Sequence, residues 1–239
     1  MKKETLMEKI ILITGASSGI GEICARFAVK AGHKVVLAAR RTDRLEALVE
    51  EFGPQNALAV SCDVTSAEDQ ERLVDEAVAR FGRLDVVMAN AGLGAAQRGT
   101  EAGDPDSFRK MIEVNCLGVT YTARYAMPHL KASGGHLVLV GSLAAQGTVW
   151  GSVYSATKWF VRGYADNLGA ELGDAGGRVT CLHPGMTDTP FFDSPKPAGL
   201  RPEDIARAFI YAIEQPPHVW IPHLPVYPRP QKPFADQHH

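Results

Sequence analysis

The stretch Ile10-Ile11-Leu12-Ile13-Thr14-Gly15-Ala16-Ser17-Ser18-Gly19-Ile20-Gly21 runs from an apolar, β-branched segment through a glycine-spaced turn into a segment of helical period. Glycines at 15, 19 and 21 permit a tight turn and close approach of another backbone or a ligand. The helix beyond them opens with free N–H groups and the positive end of its dipole, which suit a phosphate. The spacing is G-x-x-x-G-x-G rather than G-x-G-x-x-G. Alone, the pattern fits an ordinary Gly-rich strand-to-helix turn equally well. Its place directly after an N-terminal strand in a β-α-β unit points to a dinucleotide.

Outward from this turn the chain alternates. Short apolar runs, each a candidate buried strand, recur at Lys34–Ala38, Ala57–Ser61, Asp85–Ala89, Leu137–Val140, Arg178–Leu182 and Val219–Ile221. Helical period lies between them: Ile20, Ile23, Cys24, Phe27, Ala28 and Ala31 form one stripe, and Leu73, Val74, Ala77, Val78 and Phe81 another. Thr65-Ser66-Ala67-Glu68 has the form of a capping box opening the second. Further helices are expected from about Pro105 toward Leu130, from about Gly151 to Leu172, and from Pro202. Strand-helix repetition with continuous apolar strands predicts an α/β fold: a parallel sheet covered by helices on both faces. The whole chain, 1–239, reads as one domain with a Pro-rich irregular tail at about 222–239.

Composition excludes several classes. Hydrophobic residues at 45%, charged residues at 22% and a formal net charge of -2 are ordinary for a soluble globular protein and argue against nucleic acid or an anionic membrane as partner. The apolar runs fall far short of the ~20 residues of a membrane span. Residues Met1 to Lys9 are charged and lack the apolar stretch of a signal peptide. Cys24, Cys62, Cys116 and Cys181 are widely separated, with no paired metal-ligand spacing, and read as reduced thiols of a cytoplasmic protein; no metal is expected.

The chemically informative residues gather where strands end. Ala38-Ala39-Arg40-Arg41 closes the second strand without the acid that would take ribose hydroxyls. Arginine there suits a 2′-phosphate. Arg40 is the favoured contact, and Arg41 fits a solvated helix start at least as well. Asp63, after the third strand, suits either a helix cap or the adenine amine. Asn90-Ala91-Gly92 closes the fourth strand, Ser142 the fifth, and Pro184-Gly185 the sixth. Asn115 puts an amide on the apolar stripe of Phe108, Met111, Ile112 and Val119, where a satisfied core asparagine is the plain reading. Independent turns and caps would scatter over both edges of a sheet, whereas ligands of open α/β sheets bind at the carboxyl edge.

Tyr154 and Lys158 stand one helical turn apart in Tyr-Ser-Ala-Thr-Lys, on one face. A fixed ammonium near a phenol favours the phenolate and makes the tyrosine a general acid/base. Lys158 also falls in register with Val161, Ala165, Leu168 and Leu172, which a snorkelling stem would explain.

Taken together, these motifs resemble the short-chain dehydrogenase/reductase family in its single-domain form, from Lys9 to about Pro230. Ala89, where Asn is common, and Gly141, where a second Ser often stands, are mild departures. The resemblance implies a Rossmann-like, doubly wound seven-stranded sheet in order 3-2-1-4-5-6-7 and a homotetramer or dimer through the two long helices. It implies an NADP(H)-preferring oxidoreductase acting on a small or medium carbonyl compound or secondary alcohol, such as a 3-oxo or 3-hydroxy acid derivative. Tyr154 would exchange a proton with the substrate oxygen, Lys158 would lower the tyrosine pKa and hold the nicotinamide ribose, Ser142 would bond the carbonyl oxygen, and Asn115 would anchor a water linking Lys158 to solvent. The cofactor set it implies is Gly15, Ser17, Ser18, Gly19, Ile20, Gly21, Arg40, Arg41, Asp63, Val64, Asn90, Ala91, Gly92, Tyr154, Lys158, Pro184, Gly185, Thr187 and Thr189. A non-catalytic dinucleotide sensor, or a lyase or epimerase on the same fold, would share much of this set. The resemblance makes the chain a dinucleotide-binding catalytic domain with a substrate lid at about 186–201; within Met186 to Leu200, Phe191, Phe192 and three prolines outweigh two acids and one lysine. Leu93, Leu143, Val149 and Trp150 would add apolar wall.

Overall fold

Continuous apolar strands need cover on both faces, and the computed structural model, which describes residues 7–95 and 99–229, supplies it. Seven parallel strands form one sheet: β1 (Ile10–Thr14), β2 (Lys34–Ala39), β3 (Ala57–Ser61), β4 (Val86–Ala89), β5 (His136–Val140), β6 (Arg178–Pro184) and β7 (His223–Val226). Their spatial order is β3-β2-β1-β4-β5-β6-β7, the order expected from the sequence. Strand β1 pairs with β2 on one side and β4 on the other, so the direction of winding reverses there.

The pleat divides the apolar residues between two cores. Leu12, Val36, Val87 and Leu139 face one side, packed by α3 (Ala67–Phe81), α5 (Val119–Ser133) and α6 (Val153–Gly173). Ile11, Ile13, Leu37 and Val138 face the other, packed by α1 (Gly19–Lys30), α2 (Thr42–Phe52) and α7 (Pro202–Ile213), with Phe209 fully buried. Among the described residues no helix is long and apolar enough to cross a membrane. All four thiols are free.

Four local expectations need correction. The final strand is His223–Val226, not Val219–Ile221, and so falls inside the stretch read as an irregular tail. The apolar trio is committed elsewhere. The Val219 carbonyl accepts from the Arg178 guanidinium at 2.8 Å, Trp220 Nε1 donates to the Val179 carbonyl at 2.7 Å, and the Ile221 carbonyl accepts from Thr180 Oγ1 at 2.6 Å. Pro225 is tolerated because β7 is an edge strand. The rest of that tail, from residue 230, lies outside the described residues.

The cap of α3 is Ser66, which accepts from the Asp69 amide at 3.1 Å; the box expected from Thr65 and Glu68 is displaced by one residue. The helical run from Pro105 is interrupted: α4 (Pro105–Ile112) passes into a π-turn at Glu113–Gly118 before α5 begins. That change of period rotates Ile112, expected on the buried stripe, to 46% exposure while Asn115 stays buried.

Candidate active site

Each strand end at the carboxyl edge delivers one part of the site. After β1, Gly15 and Gly19 hold φ angles of +66° and +60°, in the left-handed region where glycine is favoured. A Cβ on Gly21 would lie 2.5 Å from Asn90 Nδ2 and 2.6 Å from the Gly15 carbonyl, so the turn closes around bare backbone. Asn90 ties it to β4, donating to the Thr14 carbonyl at 2.8 Å, while the Thr14 hydroxyl accepts from the Asn90 and Ala91 amides. Ser18 caps α1 without a side-chain hydrogen bond, so no cap side chain occupies the first amides of that helix. This geometry fits an anionic phosphate group.

After β2, Arg41 rather than Arg40 reaches the glycine turn. Its guanidinium donates to Ser17 Oγ at 2.8 Å and Ser18 Oγ at 2.9 Å. Arg40 is exposed, and its charge helps hold the Asp63 carboxyl below the usual range, behind the bonds from Thr65. Asp63 Oδ1 accepts from the Thr65 amide at 3.0 Å and its hydroxyl at 2.7 Å, a local turn before α3. Val64 packs its side chain where a Cβ on Gly118 would fall, and its carbonyl accepts from Gln70.

Asn115, placed by the π-turn, is fully buried and fully engaged. Its Oδ1 accepts from the Leu93 amide at 2.8 Å, and Nδ2 donates to the Leu93 carbonyl at 2.9 Å and Thr157 Oγ1 at 3.0 Å. The amide thus ties the loop after β4 to α6. A Cβ on Gly92 would lie 3.3 Å from Asn115 Oδ1 and 3.6 Å from Lys158 Nζ, which brings the three residues together.

Ser142 ends β5 and caps the short helical turn Leu143–Ala145, accepting from the Ala144 amide at 3.1 Å. Ser152 caps α6, and Ser155 Oγ donates to the Ala144 carbonyl at 2.7 Å, pinning the helix to that turn. Tyr154 is thereby set beside Ser142. Burial pushes its phenol above the ordinary value, and a hydrogen bond with Ser142 pulls it part of the way back. Lys158 is buried, donates to the Val140 carbonyl at 2.8 Å, and is pushed down to about 8 by loss of hydration. Its Nζ stands 5.8 Å from the centre of the Tyr154 ring. The lowering expected from the lysine is not what acts on the phenol here: burial raises it, and Ser142 supplies the opposing influence.

The segment after β6 crosses the site. Pro184 is buried, the Gly185 amide donates to the Val226 carbonyl at 2.9 Å, and Thr187 Oγ1 donates to the Gly185 carbonyl at 2.9 Å. Thr189 lies 3.4 Å from the Cβ position of Gly19, over the glycine turn. Phe191 packs on Tyr154 with ring centres 5.8 Å apart, and it fills the Cβ position of Gly94. Leu143 is buried at the root of this segment, while Trp150 instead covers Gly99 beside a cavity of about 520 Å³. Sequence reasoning missed Thr14, Thr157 and the Val140 carbonyl. Thr14 stands inside the glycine motif and was legible there, whereas a backbone acceptor leaves no trace in the sequence.

A family profile described as short chain dehydrogenase matches residues 9–198. The chain belongs to the short-chain dehydrogenase/reductase family. It is an oxidoreductase of that family, and its relatives match most of its length. An uncharacterized oxidoreductase of Staphylococcus aureus is 38% identical over 228 residues, covering 93% of this chain and 98% of that one. A Thermococcus sibiricus alcohol dehydrogenase, solved with 5-hydroxy-NADP, is 34% identical with a TM-score of 0.87, covering 95% and 99% of the two chains. A Brucella melitensis 3-ketoacyl-(acyl-carrier-protein) reductase, solved with NADH, is 32% identical with a TM-score of 0.85, covering 92% and 97%.

The Asn115 bonds predict a stability effect separable from chemistry. Asn115→Ala leaves the Leu93 backbone groups without partners and should cost about 2–4 kcal/mol, a fall in Tm of roughly 5–15 °C. Calorimetry of the purified variant checks this; an unchanged Tm would show that the loop is held by other contacts.

Proposed function

We propose that this short-chain dehydrogenase/reductase is an NADP(H)-dependent oxidoreductase interconverting a small or medium carbonyl compound and its secondary alcohol, with Tyr154 exchanging the proton at the substrate oxygen. The observation that carries the reading is the convergence of the buried Lys158 ammonium, the Tyr154 phenol and Ser142 beside the glycine turn. A nicotinamide dinucleotide supplies or accepts the hydride when bound. The residues of this chain do the rest. Tyr154, held as the neutral phenol near pH 7, donates its proton in the reductive direction. Ser142 Oγ offers a hydrogen bond where negative charge grows on the substrate oxygen. Lys158 contributes fixed positive charge beneath both. Asn115 borders the water through which Lys158 would exchange protons, its own amide being committed to Leu93 and Thr157.

The cradle residues Gly15, Ser17, Ser18, Gly19, Ile20 and Gly21 would hold the pyrophosphate, with Thr187 and Thr189 closing over it. Asp63, Val64, Asn90, Ala91 and Gly92 would line the adenosine and ribose side, and Pro184 and Gly185 the nicotinamide end. For NADP(H) over NAD(H), the support is Arg41, whose charge already lies against Ser17 and Ser18, together with Arg40. The Thermococcus enzyme was solved with an NADP derivative, while the Brucella reductase held NADH. Phe191, half-exposed above Tyr154, favours an apolar or mildly polar substrate, and a 3-oxo or 3-hydroxy acid derivative accords with the named activity of the Brucella relative. Free thiols support a reducing compartment, the cytoplasm. Exposed Ile112 and Leu117 on the run from α4, and Trp159 and Phe160 on α6, support a homo-oligomer through the long helices. Light scattering that finds only monomer would refute the oligomer.

Tyr154→Phe should lower turnover of NADPH with a carbonyl panel by at least ~10²-fold while dinucleotide affinity stays within a few-fold. Net NADPH oxidation by the wild type separates this reading from a sensor or a lyase. Lys158, with its lowered value, loses charge as pH rises through about 8, while the raised phenol stays protonated. Reductive kcat/KM should therefore fall above about pH 8, and a profile flat to pH 9.5 would detach the lysine charge from the chemistry. Arg41→Ala should erode the NADPH/NADH preference by ~10-fold or more, and Arg40→Ala by less; equal and unchanged ratios would remove both from phosphate binding.

A further inference from the structure

From the Ser142 carbonyl a line of imidazoles runs to the surface. His183 Nδ1 lies 3.3 Å from the Ser142 carbonyl, and His183 Nε2 lies 3.0 Å from His223 Nδ1. His223 Nε2 lies 2.8 Å from Asp166 Oδ1 on α6. His183 is buried on β6, and Asp166 is more than half exposed. None of these three residues belongs to the proton-donating set proposed above.

The ends of this line fix its proton count. The Ser142 carbonyl can only accept, so His183 Nδ1 must carry a hydrogen to bond it. The Asp166 carboxylate can only accept, so His223 Nε2 must carry one too. The link between the rings needs one more. Three hydrogens on two imidazoles make one positive charge, and the line is complete only when it holds that extra proton. With two hydrogens one link must fail. The bond to the carboxylate is charge-assisted and stronger than the one to a neutral carbonyl, so the hydrogens shift toward Asp166. His183 Nδ1 then turns a lone pair to the Ser142 carbonyl, and that contact becomes repulsive.

We infer that His183, His223 and Asp166 form a proton-controlled positioning relay that holds the Ser142 backbone when charged and releases it when neutral. The inference rests on Ser142 acting in the proposed reaction. His183 and His223 are positioning residues, acting through Ser142. Charged groups face His183 from both neighbouring elements. Burial lowers it to about 4, the Ser142 carbonyl raises it, and His223, with Arg162 of α6, lowers it further against a raising influence from Asp166. The Asp166 carboxylate, 2.8 Å from the outer ring, is the anion that balances the extra proton. Cys181 of β6 completes a trio with the two rings whose ligand atoms lie within 4.8 Å of one another, a spacing that a metal ion could use. The geometry argues otherwise, because the outer ring nitrogens are already directed at the Ser142 carbonyl and at Asp166. The nitrogens also face each other at 3.0 Å, a direct hydrogen bond.

The test is imidazole ¹⁵N NMR of the full chain from pH 5 to 9, assigned with His183→Asn and His223→Gln. One shared titration step, across which His183 loses its Nδ1 hydrogen, is expected. Independent titration of the two rings, or an unchanged His183 tautomer, would overturn the relay, as would stoichiometric bound metal in elemental analysis. This readout needs no turnover, so an inactive protein with the shared step would overturn the oxidoreductase reading and leave the proton-controlled contact standing. In the active enzyme, kcat should fall about 3–10-fold as pH rises through the shared step, below the decline assigned to Lys158, with cofactor KM unchanged. His223→Gln should abolish that lower step while retaining the upper one. His183→Asn, whose amide replaces the Nδ1 donor toward Ser142, should hold kcat constant across it. A wild-type kcat indifferent to the shared step would overturn the positioning role.

Discussion

A buried ammonium held on a strand-end carbonyl is the constraint on which the site depends. Taking a charge out of water is costly unless it is well paired, and among the described residues Lys158 bonds the Val140 carbonyl alone, with the Cys116 and Cys181 thiols nearby. That carbonyl is free to accept because β5 ends at Val140 and the chain turns away through Gly141 and Ser142. The same strand end that frees the acceptor therefore presents the serine. Helix α6 has little latitude in carrying the cation. Its start is fixed by Ser152, and its flank is bonded to the turn carbonyls of Ala144 and Ala145 through Ser155 and Arg162. A site that stores charge in this way is stable only because several elements hold it at once.

Close backbone approach is the second dependence. Gly15 and Gly21 leave room for Asn90, whose amide bonds the Thr14 and Gly15 carbonyls and couples β4 to the turn after β1. Any side chain at residue 21 would collide with that bridge. The glycine spacing is thus set by protein packing as well as by the room a phosphate needs, which is why the motif taken alone could not distinguish the two.

The sheet was legible because buried parallel strands read as continuous apolar runs, and six of the seven do. Strand β7 does not: His223-Leu224-Pro225-Val226 carries an imidazole and a proline, permitted at an edge, while the apolar Val219–Ile221 serves as acceptor and packing for β6. The π-turn was illegible for another reason. A 3.6 period cannot announce its own interruption, so Ile112 looked buried and Asn115 looked like one of its neighbours on a single stripe. The expectations for Tyr154, Ser142 and Lys158 rest on residue type and order, whereas the burial that raises the phenol depends on depth, which the sequence does not display. The choice between Arg40 and Arg41 depends on side-chain reach from one turn to another. Place at the strand end favours Arg40, and nothing in the sequence measures how far either side chain reaches.

Strand β6 links these pieces more closely than its sequence suggests. Cys181 lies beside the lysine, His183 against the Ser142 carbonyl, and Gly185 is bonded to β7 through Val226. From there Thr187 pairs with Leu200, Thr189 passes over Gly19, and Phe191 settles on Tyr154. The position of the covering segment is therefore fixed at its root by the β6–β7 pairing and at its tip by an aromatic contact with Tyr154. Gly94 makes that last contact possible, since a Cβ there would lie 2.8 Å from the Phe191 ring. A segment anchored at both ends in this way transmits the register of the last strand directly to the space above Tyr154. The edge strand that the sequence conceals thus shapes the space above Tyr154 as much as the motif that the sequence displays.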